Sequence, residues 1–249
     1  MLKVRLLQAA IPVALLVAWQ TLAPARELEV FVSTPEDVGR RLVELGRSGE
    51  LWTYAGTTVR TALLGLAIGS LLGITVGIVL ASSQRIFRVV NPFVAAAYSF
   101  PRIILFPLFL VWFGPGEKAG LFLVALITFF LMMVNTIAGM KSIDTERFTT
   151  VRLLGASRLQ LVRVVMLPSL LPFILSGIGM TVPAAFLGAI VGEILGGRSG
   201  VGYLIERSAG QFDSAGMMAG VVVVGFMGAV ATLCIARPAE KYLERMGAR

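Results

Sequence analysis

The side chains able to do chemistry are few in this sequence, and their types argue against catalysis. The chain contains no His and one Cys, so it has no imidazole base, no Ser–His or Cys–His nucleophile pair and no Cys/His metal cluster. It also lacks the G-x-x-x-x-G-K-[ST] pattern of a phosphate-binding loop. We therefore expect no catalytic residue, no metal and no bound cofactor in this chain, and we do not expect it to be an enzyme.

Two charged residues stand out because they lie in or beside long apolar stretches. Arg102 lies twelve residues beyond Val90, roughly 18 Å along an ideal helix and near the middle of an apolar run. Pro101 and Pro107 are expected to kink or break that helix. Glu193 ends another apolar run. Together these four residues are candidates for the lining of a translocation pathway.

Both charges also admit a structural interpretation. Arg102 could pair with a carbonyl or an acid, or it could reach the membrane surface from a shifted helix. Glu193 could pair with a basic group across the pathway or simply mark the membrane surface. A pathway role for Arg102 would suit an anionic solute.

The elements that carry these residues are predicted to be membrane spans. The sequence is 57% hydrophobic and 14% charged, which favours lipid as the main solvent and an all-α integral membrane fold. We predict a single transmembrane domain over 1–249. Its six apolar runs lie near 6–23, 57–82, 89–112, 118–140, 170–195 and 216–236.

The orientation of these spans follows from the loop charges. Thirteen basic residues fall on the side that carries Lys3 and Arg5, and seven fall on the other side. This bias predicts that both termini are cytoplasmic in a multi-pass inner membrane protein. The first run also resembles a cleavable secretory signal ending at Ala23-Pro24-Ala25, but its length and Trp19 favour a retained helix.

Two further patterns predict packing. Four glycines spaced four residues apart lie on one face of the second span, where they favour close approach of a neighbouring helix: Gly65, Gly69, Gly73 and Gly77. Ahead of that span, Thr34 can cap a short helix in which Pro35 takes the first position. Its apolar stripe is Val38, Leu42 and Leu45, and Gly46 is expected to end it.

The longest connection, the basic loop 141–169, is predicted to form two short helices. Phe148, Val151 and Leu154 recur at helical spacing before Gly155 interrupts. Ser157 can cap a second helix, and Leu167-Pro168 is expected to stop it. The helices would expose three arginines: Arg152, Arg158 and Arg163.

With Gly155 followed after nine residues by Val165-x-Leu167-Pro168, the 141–169 loop resembles the EAA loop of membrane subunits of binding-protein-dependent ABC importers. In that family the loop docks on a separate ATPase. The residues that this resemblance assigns to ATPase coupling are Glu146, Thr149, Arg152, Gly155, Ala156, Ser157, Leu167 and Pro168. The sequence departs from the motif at its start, where Thr149-Thr150-Val151 replaces Glu-Ala-Ala, and Glu146 lies almost one turn earlier.

Other stretches are similar to the sulfonate, taurine and nitrate branch of this family. They are Pro101-Arg102, Pro107-Leu108, Trp112-Phe113-Gly114-x-Gly116-Glu117, Glu193 and Ser199-Gly200-Val201-Gly202-Tyr203-Leu204-Ile205. The resemblance implies a translocation pathway for a small anionic solute such as a sulfonate, taurine or nitrate. It also implies a second copy of the chain, a cytoplasmic ATPase dimer that binds the ATP, and an external solute-binding protein.

The alternatives belong to other classes. A secondary carrier, independent of an ATPase, would need intramembrane carboxylates or inverted repeats, and neither is evident in the sequence. A membrane enzyme would need a catalytic cluster. The net charge of +8 is explained by the loop bias, so we expect no nucleic acid partner.

Overall fold

In the computed structural model, which describes residues 11, 14, 17–21 and 33–245, the described part is mostly helical and contains no strand. The helices are α1 Pro35–Ser48, α2 Glu50–Ala81, α3 Gln84–Ser99, α4 Phe106–Phe113, α5 Glu117–Lys141, α6 Thr145–Leu153, α7 Arg158–Leu161, α8 Leu167–Gly196, α9 Val201–Gly210, α10 Ser214–Ala231 and α11 Arg237–Arg245. A 3₁₀ turn at Arg102–Leu105 precedes α4. Two π-helical segments, Val162–Met166 and Thr232–Ala236, join α7 to α8 and α10 to α11.

Four helical stretches of the described residues are long and apolar enough to cross a bilayer. They are Glu50–Ala81, Glu117–Lys141, Leu159–Gly210 and Ser214–Leu243, and they correspond to the second, fourth, fifth and sixth predicted spans. The bent pair Gln84–Ser99 and Arg102–Phe113 brings the number to five if it is counted as one span. The first predicted span, 6–23, lies largely outside the described residues.

The third predicted span, near 89–112, is broken beside Pro101, as the prolines of this run predict. The two halves meet at an angle of 83°. Phe100 is extended, with φ −74° and ψ 130°, because the ring of Pro101 disfavours a helical residue before it. Pro107 lies in the first turn of α4, where its missing N–H would have had no helical partner.

The glycines of α2 lie against α5, which confirms the predicted packing role. A Cβ added at Gly65 would lie 2.5 Å from Val124, and one at Gly77 would lie 2.8 Å from Thr136. The close approach allows the Thr128 hydroxyl of α5 to donate a hydrogen bond to the Gly65 carbonyl oxygen at 3.1 Å. Contact at backbone distance therefore holds α2 and α5 together.

The main core joins α2 and α5 to α8, α9 and α10. Its buried members are Ala62, Val124, Val182, Ala185, Phe186, Ala189, Val201, Met227 and Ala231. A second cluster places α1 against α9 and α10 through Val38, Leu45, Leu204 and Ala219. Because α9 contributes to both clusters, it connects the surface helix α1 to the core of the spans.

Helix α1 begins as predicted but ends later. The Thr34 hydroxyl accepts a hydrogen bond from the Asp37 backbone N–H at 3.2 Å. The helix continues through Gly46 to Ser48 and ends at Gly49, whose φ of +84° takes the left-handed conformation that closes a helix. Gly46 was therefore the wrong end point.

Helix α8 continues the helical path of the 141–169 loop, so the predicted stop at Leu167-Pro168 was also wrong. The chain is helical from Arg158 through the π segment and onward to Gly196. The Leu167 backbone N–H donates to the Val162 carbonyl, five residues back. This wider turn accommodates Pro168 without ending the helix, as local π geometry commonly does for prolines in membrane spans.

Candidate functional site

The 141–169 loop forms a helical hairpin with a glycine at its turn. Helix α6 is capped by Asp144, whose Oδ1 accepts from the Glu146 backbone N–H at 2.8 Å. Gly155 has a φ of +83°, a conformation that residues with a Cβ rarely adopt. The next helix begins with a reciprocal cap, because the Ser157 N–H donates to Gln160 Oε1 at 2.7 Å and the Gln160 N–H donates to Ser157 Oγ at 3.4 Å. The predicted glycine turn and serine cap are both present.

The loop exposes apolar as well as basic side chains. Leu153 and Leu154, directly before the turn, are each 82% exposed, and Leu159 follows at 59%. Arg152 and Arg163 are exposed in the same loop. Adjacent exposed leucines on a polar surface are typical of a protein contact.

The remaining predicted coupling residues lie around the same hairpin. Glu146 and Thr149 are on the exposed side of α6, and Ala156 is half-buried after the turn. Leu167 and Pro168 lie in the first turn of α8 and are exposed. The eight residues thus lie between Glu146 and Pro168, and the helical path that begins at Arg158 leads into α8 without a break.

Arg102 lies at the break between α3 and α4 and is half-buried. Its Nη2 donates to the Tyr98 carbonyl oxygen at 2.6 Å, and its guanidinium carbon lies 5.0 Å from the Tyr98 ring centroid and 5.1 Å from the Phe130 ring centroid. Among the described residues, no carboxylate forms an ion pair with it. Aromatic faces and one carbonyl hold the guanidinium in place while its charge remains uncompensated.

A cavity of about 250 Å³ opens beside this arginine. Its lining residues are Pro101, Arg102, Ile103, Ile127, Ala184, Leu187 and Gly188. The wall is apolar except for the guanidinium, so the cavity offers one positive group in a hydrophobic setting. Such a wall would favour an anionic group carried on a small organic body.

Glu193 is not in this cavity. It lies near the end of α8, only 6% exposed, and its Oε2 accepts hydrogen bonds from Thr58 Oγ1 and the Gly202 N–H, each at 2.9 Å. The structure thus separates the predicted pathway residues into two groups, with Pro101 and Arg102 at one place and Glu193 farther along α8. Pro107 lies in α4, outside the residues that line the cavity.

Residues 69–240 match a protein family that is described as "Binding-protein-dependent transport system inner membrane component". This match spans more than half of the chain and includes the 141–169 loop, the Arg102 break and Glu193. The chain belongs to this family. It is therefore a multi-pass membrane permease subunit of an ABC importer, as the sequence patterns predicted.

Curated relatives of this permease cover nearly its whole length. It is 32% identical to the formylaminopyrimidine transport permease protein ThiX of Halalkalibacterium halodurans, over 86% of this chain and 85% of the relative. It is also 32% identical to the putative aliphatic sulfonates transport permease protein SsuC of Bacillus subtilis, over 88% and 79%. The taurine transport system permease protein TauC of Escherichia coli is 29% identical, over 86% and 80%.

Solved structures support the fold of the permease. One structure of the MetNI methionine ABC transporter aligns with a TM-score of 0.64 at 20% identity, covering 74% of this chain and 92% of that one. A structure of an amino acid ABC transporter aligns with a TM-score of 0.63 at 18% identity, covering 82% and 97%. At these identities the likeness establishes the shared helical fold.

The sequence analysis missed three residues that the structure brings forward. The sequence analysis names Leu154 only for its helical spacing and does not name Leu153, although two leucines directly before a turn glycine are a visible signal of an exposed apolar tip. Thr58 was not singled out at all. A threonine inside an apolar span has many ordinary roles, and only the folded arrangement shows that it meets Glu193.

Proposed function

We propose that this permease moves a small anionic solute across the inner membrane, driven by a separate ATPase dimer that docks on the 141–169 loop. The observation that carries the docking site is the pair Leu153 and Leu154, each 82% exposed at the turn of a basic hairpin. The hairpin leads into α8 by continuous helix, so a displacement of the loop would be transmitted to α8. Alternating access would follow as paired copies rock about the pathway.

The orientation follows from the same proposal. If the 141–169 loop meets a cytoplasmic ATPase, then α8 leads away from the cytoplasm and α10 returns towards it. The chain would thus end on the cytoplasmic side, as the loop charges also predict. With the first predicted span in place, the N-terminus would be cytoplasmic as well, and α1 and α9 would face the external solute-binding protein.

The solute class rests on the Arg102 cavity. The relatives carry names for transport of aliphatic sulfonates, taurine and formylaminopyrimidine, at closely similar identities, so identity alone does not select a substrate. The single cationic group in an apolar wall favours a small organic anion, for which a sulfonate or taurine is our first choice and nitrate a smaller alternative. Pro101 would contribute to the same lining, Pro107 would fix the start of the helix behind it, and Glu193 would act nearer the external end.

The docking proposal is tested with a charge placed in the exposed apolar tip. We expect Leu153→Asp combined with Leu154→Asp to abolish copurification of the ATPase and ATP-driven uptake, since a carboxylate in a buried interface is strongly disfavoured. Val43→Asp is the matched control for copurification, because Val43 is 53% exposed on α1 and lies outside the loop. Uptake is measured in proteoliposomes that contain the ATPase, with the binding protein and a radiolabelled sulfonate added.

Two outcomes would contradict the proposal. Retention of the ATPase by the double variant would show that the leucines are not the docking tip. Uptake by the purified chain without any ATPase would favour the secondary carrier instead.

A further inference from the structure

A buried carboxylate joins three helices at the far end of α8. Glu193 Oε2 accepts hydrogen bonds from the Thr58 hydroxyl of α2 and from the Gly202 N–H of α9, each at 2.9 Å. The Thr58 hydroxyl oxygen in turn accepts from the Val201 N–H at 2.9 Å. The first N–H groups of a helix have no partner within it, so residues from α2 and α8 together cap α9.

The local sequence fits this arrangement closely. A Cβ at Gly200 would overlap the Glu193 carboxylate, and one at Gly202 would overlap the Ile190 carbonyl oxygen. The Gly200-Val201-Gly202 run therefore allows the backbone of α9 to approach α8. Because Gly202 lies beside Ile190 and Glu193, the chain turns back after Gly196 and returns α9 into the bundle.

The joint is shielded from solvent. Thr58 and Val201 are 0% exposed and Glu193 is 6% exposed. This hydrogen-bonded contact differs from the apolar packing around it. If α9 moves outward, Glu193, Thr58 and the first N–H groups of α9 can replace their mutual hydrogen bonds with hydrogen bonds to water. At its edge, Thr57 Oγ1 of α2 lies 3.1 Å from Ser199 Oγ, in the turn that precedes α9.

The position of the joint relates it to the 141–169 loop. Helix α8 has 30 residues, a length of about 45 Å. The loop adjoins its first turn and Glu193 lies in its last turn, so the two lie at opposite ends of one helix. A movement of α8 that begins at the loop therefore reaches the contact that holds α9.

We propose that Glu193, Thr58 and the start of α9 form a latch that keeps this end of the pathway closed, and that the latch opens in each transport cycle. Glu193 is the positioning residue of the latch. The proposal rests on the proposed function, and it assigns to Glu193 a part in closing the pathway beyond the lining role predicted from the sequence. Without the latch, α9 would leave its site between α2 and α8 and open a leak.

A disulfide across the joint tests whether it must open. Thr57→Cys and Ser199→Cys are combined in a Cys234→Ala background, which removes the one native cysteine. We expect oxidation to lower ATP-driven uptake at least tenfold and reduction to restore it, while each single-cysteine variant is unaffected by either treatment. Full uptake by the oxidised double variant, with the cross-link confirmed by mass spectrometry, would overturn the latch.

The same experiment separates the latch from the proposed function. ATP-driven uptake by the reduced protein tests the importer assignment alone. If the reduced protein transports and the oxidised protein transports equally well, only the latch fails. If neither transports, the proposed function itself fails, and the latch fails with it.

A second measurement examines the carboxylate directly. Glu193→Gln keeps an oxygen acceptor for Thr58 and Gly202, whereas Glu193→Met has similar volume and cannot accept these bonds. We expect Glu193→Met to raise the ATP-independent efflux of preloaded solute by roughly tenfold, because hydrogen bonds to a carboxyl group are lost. We expect Glu193→Gln to remain close to the parent chain. Equal efflux from the two variants, at equal thermal stability, would show that Glu193 only fills space.

Discussion

At the scale of single residues, the structure gives Arg102 and Glu193 opposite settings. Glu193 is enclosed by hydrogen-bond donors from two other helices, whereas Arg102 faces a cavity with one carbonyl and two aromatic rings as partners. A charged group in a membrane span normally faces protein or water, because exposure to lipid near the bilayer centre costs about 2.5–3.5 kcal/mol on insertion scales. Arg102 satisfies that requirement and still has its charge available to a solute.

The charge of Arg102 is expected to matter for an anionic solute. We predict that Arg102→Gln lowers uptake of a sulfonate by roughly tenfold to a hundredfold, since a hydrogen bond to a charged group contributes about 1.5–3 kcal/mol. Arg237→Gln is the control, because Arg237 is exposed on α11 and does not line the cavity. The comparison is made from initial rates in proteoliposomes. Unchanged rates and solute preference for Arg102→Gln would leave Arg102 with the structural role of pairing with Tyr98.

At the scale of helices, close packing of α2 on α5 explains why the glycine spacing was informative. Each added Cβ on the glycine face would meet the backbone or a side chain of α5 at or below 2.8 Å. The interface therefore depends on the absence of side chains rather than on apolar area, which is the usual solution where lipid competes for apolar contact.

Substitutions along α2 should separate this face from the rest of the helix. We predict that Gly69→Leu destabilises the folded permease by about 1–3 kcal/mol or more, because its side chain would overlap Thr128 and the Ala125 carbonyl. Gly56→Ala, with nothing within 4 Å of its added Cβ, is expected to be neutral or to stabilise by up to about 1 kcal/mol through helix propensity. Unfolding in detergent, followed by circular dichroism, measures both. Equal midpoints for the two variants would show that the glycine face is not a tight interface.

The sequence predicted helices well where the signal was local. Hydropathy located the four long apolar helices, Thr34 and Ser157 located helix starts, and the spacing of glycines located a packing face. It failed where the outcome depended on how a proline is accommodated. Pro101 breaks a span by 83°, whereas Pro168 is absorbed by a π turn, and the residues on either side do not distinguish these cases. The Glu193–Thr58 contact joins residues 135 positions apart, so no local pattern could reveal it.

At the scale of the whole molecule, one copy leaves the Arg102 side incompletely covered. None of the residues of α3 is buried, and Phe93 and Ile104 are 72% and 65% exposed. Lipid could cover these apolar groups. The half-buried guanidinium of Arg102, however, carries a charge that is unfavourable beside lipid. A second copy of the chain, meeting the first along α3 and the 3₁₀ turn, would place both Arg102 side chains beside one shared pathway.

This arrangement predicts a homodimer whose contact includes α3. We expect the purified complex to contain two permease chains and two ATPase subunits, as measured by native mass spectrometry. Phe93→Ala combined with Ile104→Ala should weaken the association of the permease chains by roughly tenfold or more, since truncating central apolar anchors of an interface commonly costs more than 1 kcal/mol. Leu71→Ala is the control, because Leu71 is 68% exposed on α2 and outside this surface. A single permease chain per complex would place the pathway within one copy. Equal weakening by the control would show that the contact between copies is not centred on α3.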